Sequence, residues 1–251
     1  MPAKRTVLII DQGAAFGGSL VVIANLVRCL DPTQFRAVVV AEMDEVIVHS
    51  HIRGSAKVYH AKHDFNYVHW QRLSSVLFKV RIKFLRKAGL YLFSLVRRIV
   101  NTLYATKLAV IMVRERVDLV HINNGTDNFE ANLVSLLLAR PRIIHVHGIG
   151  RVGYLERLFL KVVPKVIVIS EFVRSEMLKA GIPDEKMVVI QNPVLPESVS
   201  DDASARVREK YGIGEHERIF GVFGRVVQWK GQMEFLRAAA LVLAQTQDTK
   251  A

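Results

Sequence analysis

The sequence predicts an α/β protein: a doubly wound, Rossmann-like parallel sheet with helices on both faces, followed by the beginning of a second unit of the same kind. Three observations predict it. Short apolar runs recur along the chain and stop at polar or small residues such as Asp11, Asn123, Gly148, Ser170 and Gln191. Between them lie stretches with apolar residues at helical spacing. The strand-like runs are also continuously apolar rather than alternating, as expected of strands buried on both faces.

The first strand is Thr6 to Asp11, an apolar run closed by an acid. A loop containing Gly13, Gly17 and Gly18 leads into a helix with Leu20, Ile23, Ala24, Leu26, Val27 and Leu30 on one side. A glycine loop between a first strand and its helix is where Rossmann-like units admit phosphate. The spacing here is not G-x-G-x-x-G, so no dinucleotide fingerprint is present. A tight turn that needs glycine dihedrals explains the same residues equally well. The second strand is Arg36 to Met43. His49, His51, His60, His63 and His69 follow in a mixed segment, but no cysteine and no helical H-E-x-x-H accompanies them, so no metal site is expected.

Residues 72–116 are exceptional: eleven Lys or Arg against the single acid Glu115, so +10 of the formal net charge of +12 sits there. On a helix, Lys79, Lys83, Arg86, Lys87, Arg97 and Arg98 fall within a sector of about 120°, with Arg81 opposite. Phe78, Phe84, Leu85, Leu92, Phe93, Leu95, Val96 and Ile99 fill the remainder, and the stretch is expected to bend or break near Gly89. Basic amphipathic helices of this kind lie on anionic bilayers; a core helix with solvated cations is the plainer alternative. No nucleic-acid-binding module accompanies the charge, so nucleic acid is not an expected partner.

The strand–helix rhythm then resumes. Strands are expected at Val117–Ile122, Arg142–His147, Lys165–Ile169 and Lys186–Ile190, alternating with helices at Asn128–Ala139, Tyr154–Val163 and Phe172–Ala180, the last stopped by Gly181. Ligands of such sheets sit beyond the strands' carboxyl ends. That places Gly17, Gly18, Asn123, Asn124, His147, Ser170, Glu171 and Asn192 at a candidate crevice. The polar, proline-bearing stretch Pro193–Ala205 marks a domain boundary. The division expected is 1–195, a linker 196–216 with a helical piece at Arg206–Tyr211, and a second domain from 217.

The chain has 51% hydrophobic residues, enough for a sizeable core. Its lone cysteine, Cys29, allows no internal disulfide and fits a reducing cytoplasm. Val7–Ile10 is too short for a signal-peptide core, and no apolar run reaches the length of a membrane span.

Near the end, Gly221–Gly231 reads G-V-F-G-R-V-V-Q-W-K-G. Arg218-Ile219-Phe220 opens an apolar run that reads as a buried strand, Gly224 ends it, and Gly231 opens a helical pattern over Gln232–Ala244. Glycines, a helix N-terminus and the cations Arg225 and Lys230 together suit an anion such as a diphosphate. A solvated turn is the alternative.

This segment resembles the opening of the C-terminal, nucleotide-sugar-binding domain of retaining GT-B glycosyltransferases of family 4. "IIHVHG", "VIVISEFVRSEM" and "VVIQNPV" are similar to N-domain segments of that family. The resemblance implies a GT-B fold, and transfer of a hexose from a nucleotide-diphosphate sugar to a glycan or lipid-linked acceptor with retained configuration, without metal or other cofactor. It implies that His147 contacts the transferred sugar and that Gly17, Gly18, Arg225 and Lys230 face the donor diphosphate. The lone cysteine and the basic segment 72–116 lead to the expectation of a protein of the cytoplasm, peripheral on the membrane's cytoplasmic face. The family's pair of glutamates eight residues apart is missing: Glu209 and Glu217 have the spacing but precede the second domain's first strand. The incomplete second domain is therefore expected to mark a fragment or truncated product. A non-catalytic partner subunit, binding membrane or another transferase through residues 72–116, is the alternative function.

Overall fold

The computed structural model describes the chain apart from residues 1–3, 14–15, 53, 64–71, 73–74, 124–125, 127, 149–151, 153, 195–199, 201, 225, 247–248 and 251. It divides into two compact units, Met1–Leu195 and Pro196–Ala251.

In the first unit, strands β1 (Arg5–Asp11), β2 (Phe35–Ala41), β3 (Lys57–His60), β4 (Leu119–Asn123), β5 (Arg142–Val146), β6 (Lys165–Val168) and β7 (Met187–Val189) form one sheet. The spatial order is β3-β2-β1-β4-β5-β6-β7, and every pairing is parallel. Helices α1 (Gly18–Cys29), α2 (Glu45–Ile52), α3 (Lys83–Val100), α4 (Thr102–Arg114), α5 (Phe129–Leu137), α6 (Tyr154–Val162) and α7 (Glu171–Lys179) connect them.

The period of two along a strand divides the core between the faces. Val7, Ile9, Ala37 and Val39 pack on Leu20, Ile23, Val27, Val48 and Ile52 of α1 and α2. Leu8, Ile10, Val38, Val40, Val120, Ile122 and Ile144 pack on Tyr104, Leu108, Met112, Ala131, Val134, Leu160 and Met177 of α4 to α7. Leu8, Ile9, Ile10, Val38, Val39 and Val40 are all 0% exposed, which is why these strands read as unbroken apolar runs. Burying each such side chain contributes about 1.5–3 kcal/mol.

The sequence missed α2 and β3, a short helix and an edge strand set among polar residues. Glu115, the lone acid of the basic segment, anchors that edge: it accepts from Arg36 Nη1 at 2.6 Å and Lys57 Nζ at 2.8 Å, and from the Tyr59 hydroxyl. Gly181 stops α7 in the left-handed conformation, φ 83°.

Two expectations are corrected. Helix α3 runs unbroken through Gly89; the glycine instead lets Leu77 approach, since a Cβ there would lie 2.9 Å from Leu77 Cδ2. In the second unit, the expected strand is reduced among the described residues to Arg218–Ile219 (β8), paired with Thr249–Lys250 (β9), and the apolar residues that follow β8 are not buried. Phe223 is 98% exposed, because a two-stranded ribbon offers no second layer to cover it. Helices α8 (Ala203–Tyr211) and α9 (Gln232–Leu243) complete this unit, and Phe235 of α9 meets Phe220 edge to face at 5.7 Å. Among the described residues, no helix is long and apolar enough to cross a membrane.

Candidate active site at the strand-order reversal

The chain places β2 and β3 on one side of β1 and β4 to β7 on the other, so the winding reverses between β1 and β4. Ligands of doubly wound sheets sit beyond the carboxyl ends of the strands at this reversal. The last residues of those two strands, Asp11 and Asn123, are register partners. Both are buried, at 2% exposure each.

Asp11 accepts from Ser19 Oγ of α1 at 3.4 Å. Burial pushes its carboxyl up, against the Gly13 backbone N–H. Gly13 has little room for a side chain, as a Cβ would lie 3.3 Å from Asp11 Oδ2. Gly17 is extended, with φ −169° and ψ 179°, so it is not a turn that demands glycine. A Cβ on Gly18 would meet nothing within 4 Å. Gly18 thus sits in open space at the N-terminus of α1, whose first N–H groups have no side-chain cap.

His147 follows β5 and reaches across to Asn123, with Nε2 2.9 Å from Asn123 Oδ1. An amide oxygen only accepts, so Nε2 carries the proton; burial lowers the pKa, so the ring is neutral and Nδ1 remains an acceptor. Behind it stand His145, its ring centroid 4.1 Å from that of His147, and His121, 5.4 Å from His145. Burial pushes His121 down to about 4 and His145 down to about 3, so the row is uncharged. A neutral imidazole whose Nδ1 has no hydrogen-bond partner among the described residues, at the carboxyl end of a central strand, suits contact with a hydroxyl group.

The remaining sequence-predicted residues are placed differently. Ser170 caps α7, accepting from Val173 N at 3.2 Å, and Glu171 pairs with Arg174 at 3.2 Å, so both have local structural partners. Asn192 follows β7 with its Oδ1 buried and without a hydrogen-bond partner among the described residues. Of the basic stretch, Lys79, Lys83 and Lys87 are exposed and Arg86 is half-buried. Arg98 instead lies 3.7 Å over the Phe129 ring, and Arg97 acts on the Glu130 carboxylate. In the second unit, Lys230 ends the turn Gln228–Lys230, and Gly231, at φ 73°, leads from it into α9. Arg225, Asn124 and His69 lie outside the described residues.

Sequence reasoning missed a second polar group near the same strand ends. His63 is clamped between Glu42 and Glu130: its Nδ1 and backbone N–H meet Glu42 Oε1, and its Nε2 lies 3.5 Å from Glu130 Oε2. All three side chains are at most 7% exposed. The Tyr104 ring covers the imidazole at 3.7 Å, and Gln12 Nε2 lies 3.2 Å from His63 Nε2. Burial alone would lower the His63 pKa, but hydrogen bonds to the two carboxylates outweigh it and hold the ring up at about 9. Burial raises the Tyr104 phenol. Nothing in the spacing of Glu42, His63 and Glu130 announces this contact. Asp11, by contrast, was visible as the acid closing the first strand.

The comparisons agree with this geometry. The family model for Glycosyltransferase Family 4 matches residues 16–198, well over half of the chain. No curated protein matches it. Among solved structures, HepE from Anabaena in complex with UDP and glucose is similar at 18% identity and a TM-score of 0.64, covering 98% of this chain and 60% of that one. A glycosyltransferase from Rickettsia africae is similar at 17% identity and a TM-score of 0.67, covering 95% and 57%. The lipopolysaccharide outer core galactosyltransferase WaaB, in its apo form, is similar at 14% identity and a TM-score of 0.55, covering 98% and 59%. These likenesses are of fold, and the chain spans about three-fifths of each neighbour's length. The doubly wound sheet, the polar strand ends at its reversal and the family match over β2 to β7 converge on one assignment: this chain belongs to Glycosyltransferase Family 4.

Proposed function

We propose that the protein takes part in transferring a hexose from a nucleotide-diphosphate sugar to an acceptor, with retained configuration, and that Met1–Leu195 is the acceptor-side unit. The observation that carries this is the neutral His147 held by Asn123 at the carboxyl ends of the central strands. Nδ1 of His147 would accept from a hydroxyl of the transferred sugar. Gly17, Gly18, Arg225 and Lys230 would serve the diphosphate, as the family resemblance implies. Cations and helix N-termini act there by opposing the charge that develops on the leaving group. That HepE was solved with UDP-glucose supports the donor class.

The acceptor, a glycan or a lipid-linked sugar, would be met at an anionic membrane surface on the cytoplasmic side. Helix α3 supports this: it has no buried residue, and Phe84, Tyr91 and Leu92 are 77%, 79% and 65% exposed. Apolar exposure beside Lys83 and Lys87 is the pattern of a helix lying in a lipid interface. Incubation with a panel of UDP-, GDP- and ADP-hexoses, with product configuration read by NMR, tests the proposal. Transfer with the anomeric configuration retained supports it, and an inverted product would refute the stereochemical part.

A further inference from the structure

Helix α2 and the edge strand β3 bring together three side chains that their spacing does not pair. Glu45 begins α2 and His49 lies four residues on, so both project from one face of the helix. His60 is the last residue of β3. His49 Nε2 stands 3.7 Å from Glu45 Oε1, and the rings of His49 and His60 are 5.7 Å apart between centroids. One ligating atom from each of the three falls within 4.8 Å of the others.

Two imidazoles and a carboxylate make a donor set that suits zinc and similar divalent first-row ions. With bonds of about 2.0–2.2 Å, a tetrahedral ion holds its ligand atoms roughly 3.3–3.6 Å apart. The present separations exceed that by about 1.5 Å at most, which side-chain rotation closes. Glu45 and His49 are free to rotate, being 72% and 52% exposed. His60 Nε2 is buried without a hydrogen-bond partner among the described residues, so that nitrogen is not already committed to a structural bond. A surface ion pair between Glu45 and His49 accounts for two of the groups but not for the third, delivered from a different element.

We infer that Glu45, His49 and His60 bind a divalent cation of the zinc class, with the fourth position left to water. The ion would fasten the carboxyl end of β3 to α2. Its effect reaches further along the chain, because after β3 the chain runs through Ala61 and Lys62 to His63, the residue clamped between Glu42 and Glu130. The ion is thus a staple at the root of the segment that delivers His63, and the inference is independent of any transfer activity.

Cobalt and zinc titrations of the purified chain test it. The expected result is one equivalent of Co²⁺ with the visible absorption of a tetrahedral site, displaced by Zn²⁺, and a rise in Tm with added Zn²⁺. His49→Ala and His60→Ala should each weaken binding by at least about 100-fold, more than is typical for losing a group that merely supports a ligand. His51→Ala should leave binding unchanged, because its Nδ1 is engaged with the Ile47 carbonyl at 2.8 Å. Should His60→Ala fail to fold, His49→Gln and Glu45→Gln at exposed positions carry the same expectation. Absence of stoichiometric binding, or binding indifferent to all of these changes, overturns the inference.

Discussion

His147 Nε2 and Asn123 Oδ1 lie 2.9 Å apart, joining the ends of two neighbouring strands, β4 and β5. The contact fixes the tautomer of the histidine and leaves one nitrogen free to accept. It also fixes the ring's direction, which a histidine on an isolated strand end would not have.

A first prediction follows from the burial of the row His121, His145 and His147. Burial lowers all three, to about 4 for His121 and about 3 for His145. Side-chain NMR titration should therefore show His121 and His145 neutral throughout pH 5–8, with His147 protonated on Nε2 at neutral pH. A midpoint near 6.5 for His121 or His145 would mean that the row is hydrated rather than buried.

The clamped His63 has the opposite behaviour. Its folded-state pKa is raised from 6.5 to about 9, so its contribution to stability is fully present below about pH 6.5 and is lost as pH rises through about 9. Denaturant midpoints of the wild type should fall across that window. His63→Gln should be less stable at pH 6 by about 3–5 kcal/mol, the range for stranding a partner of a buried pair, and should have a flatter profile to pH 9. Parallel profiles for the two proteins would show that the clamp contributes nothing on protonation.

Membrane contact is tested through exposed cations only. Lys79→Glu, Lys83→Glu and Lys87→Glu combined should abolish sedimentation with anionic vesicles while leaving the melting profile intact. Arg97 and Arg98 are omitted because they serve Glu130 and Phe129, so changing them would disturb the core. Wild-type binding should weaken with salt, since screening shortens the attraction to about 8 Å at physiological ionic strength. Equal binding to neutral and anionic vesicles would contradict the electrostatic part.

Much of the fold was legible because parallel strands buried on both faces leave a plain mark, as at Leu8–Ile10 and Val38–Val40. Their polar stops also singled out Asn123 and His147, which the structure brings into contact at the strand ends. What the sequence could not show were contacts made by distant segments. Glu42, His63 and Glu130 meet only after three elements pack, and Glu45 and His49 face His60 only because β3 is the edge strand beside β2. Gly89 was misread for a related reason: its role is toward Leu77, a neighbour outside the helix. The run after Ile219 was misread because an apolar segment signals a strand whether or not a second layer exists to bury it.

The most direct test of the proposed function compares donor affinity and transfer in single variants of the protein. His147→Ala should impair sugar transfer while leaving affinity for the free nucleoside diphosphate nearly unchanged, because its proposed contact is with the sugar. Arg225→Ala and Lys230→Ala should each lower turnover by about 10²- to 10³-fold, the range for losing one group that stabilises developing charge. The account predicts that separation of effects. Wild-type transfer by His147→Ala, with Arg225→Ala and Lys230→Ala equally unimpaired in turnover and diphosphate affinity, would contradict it.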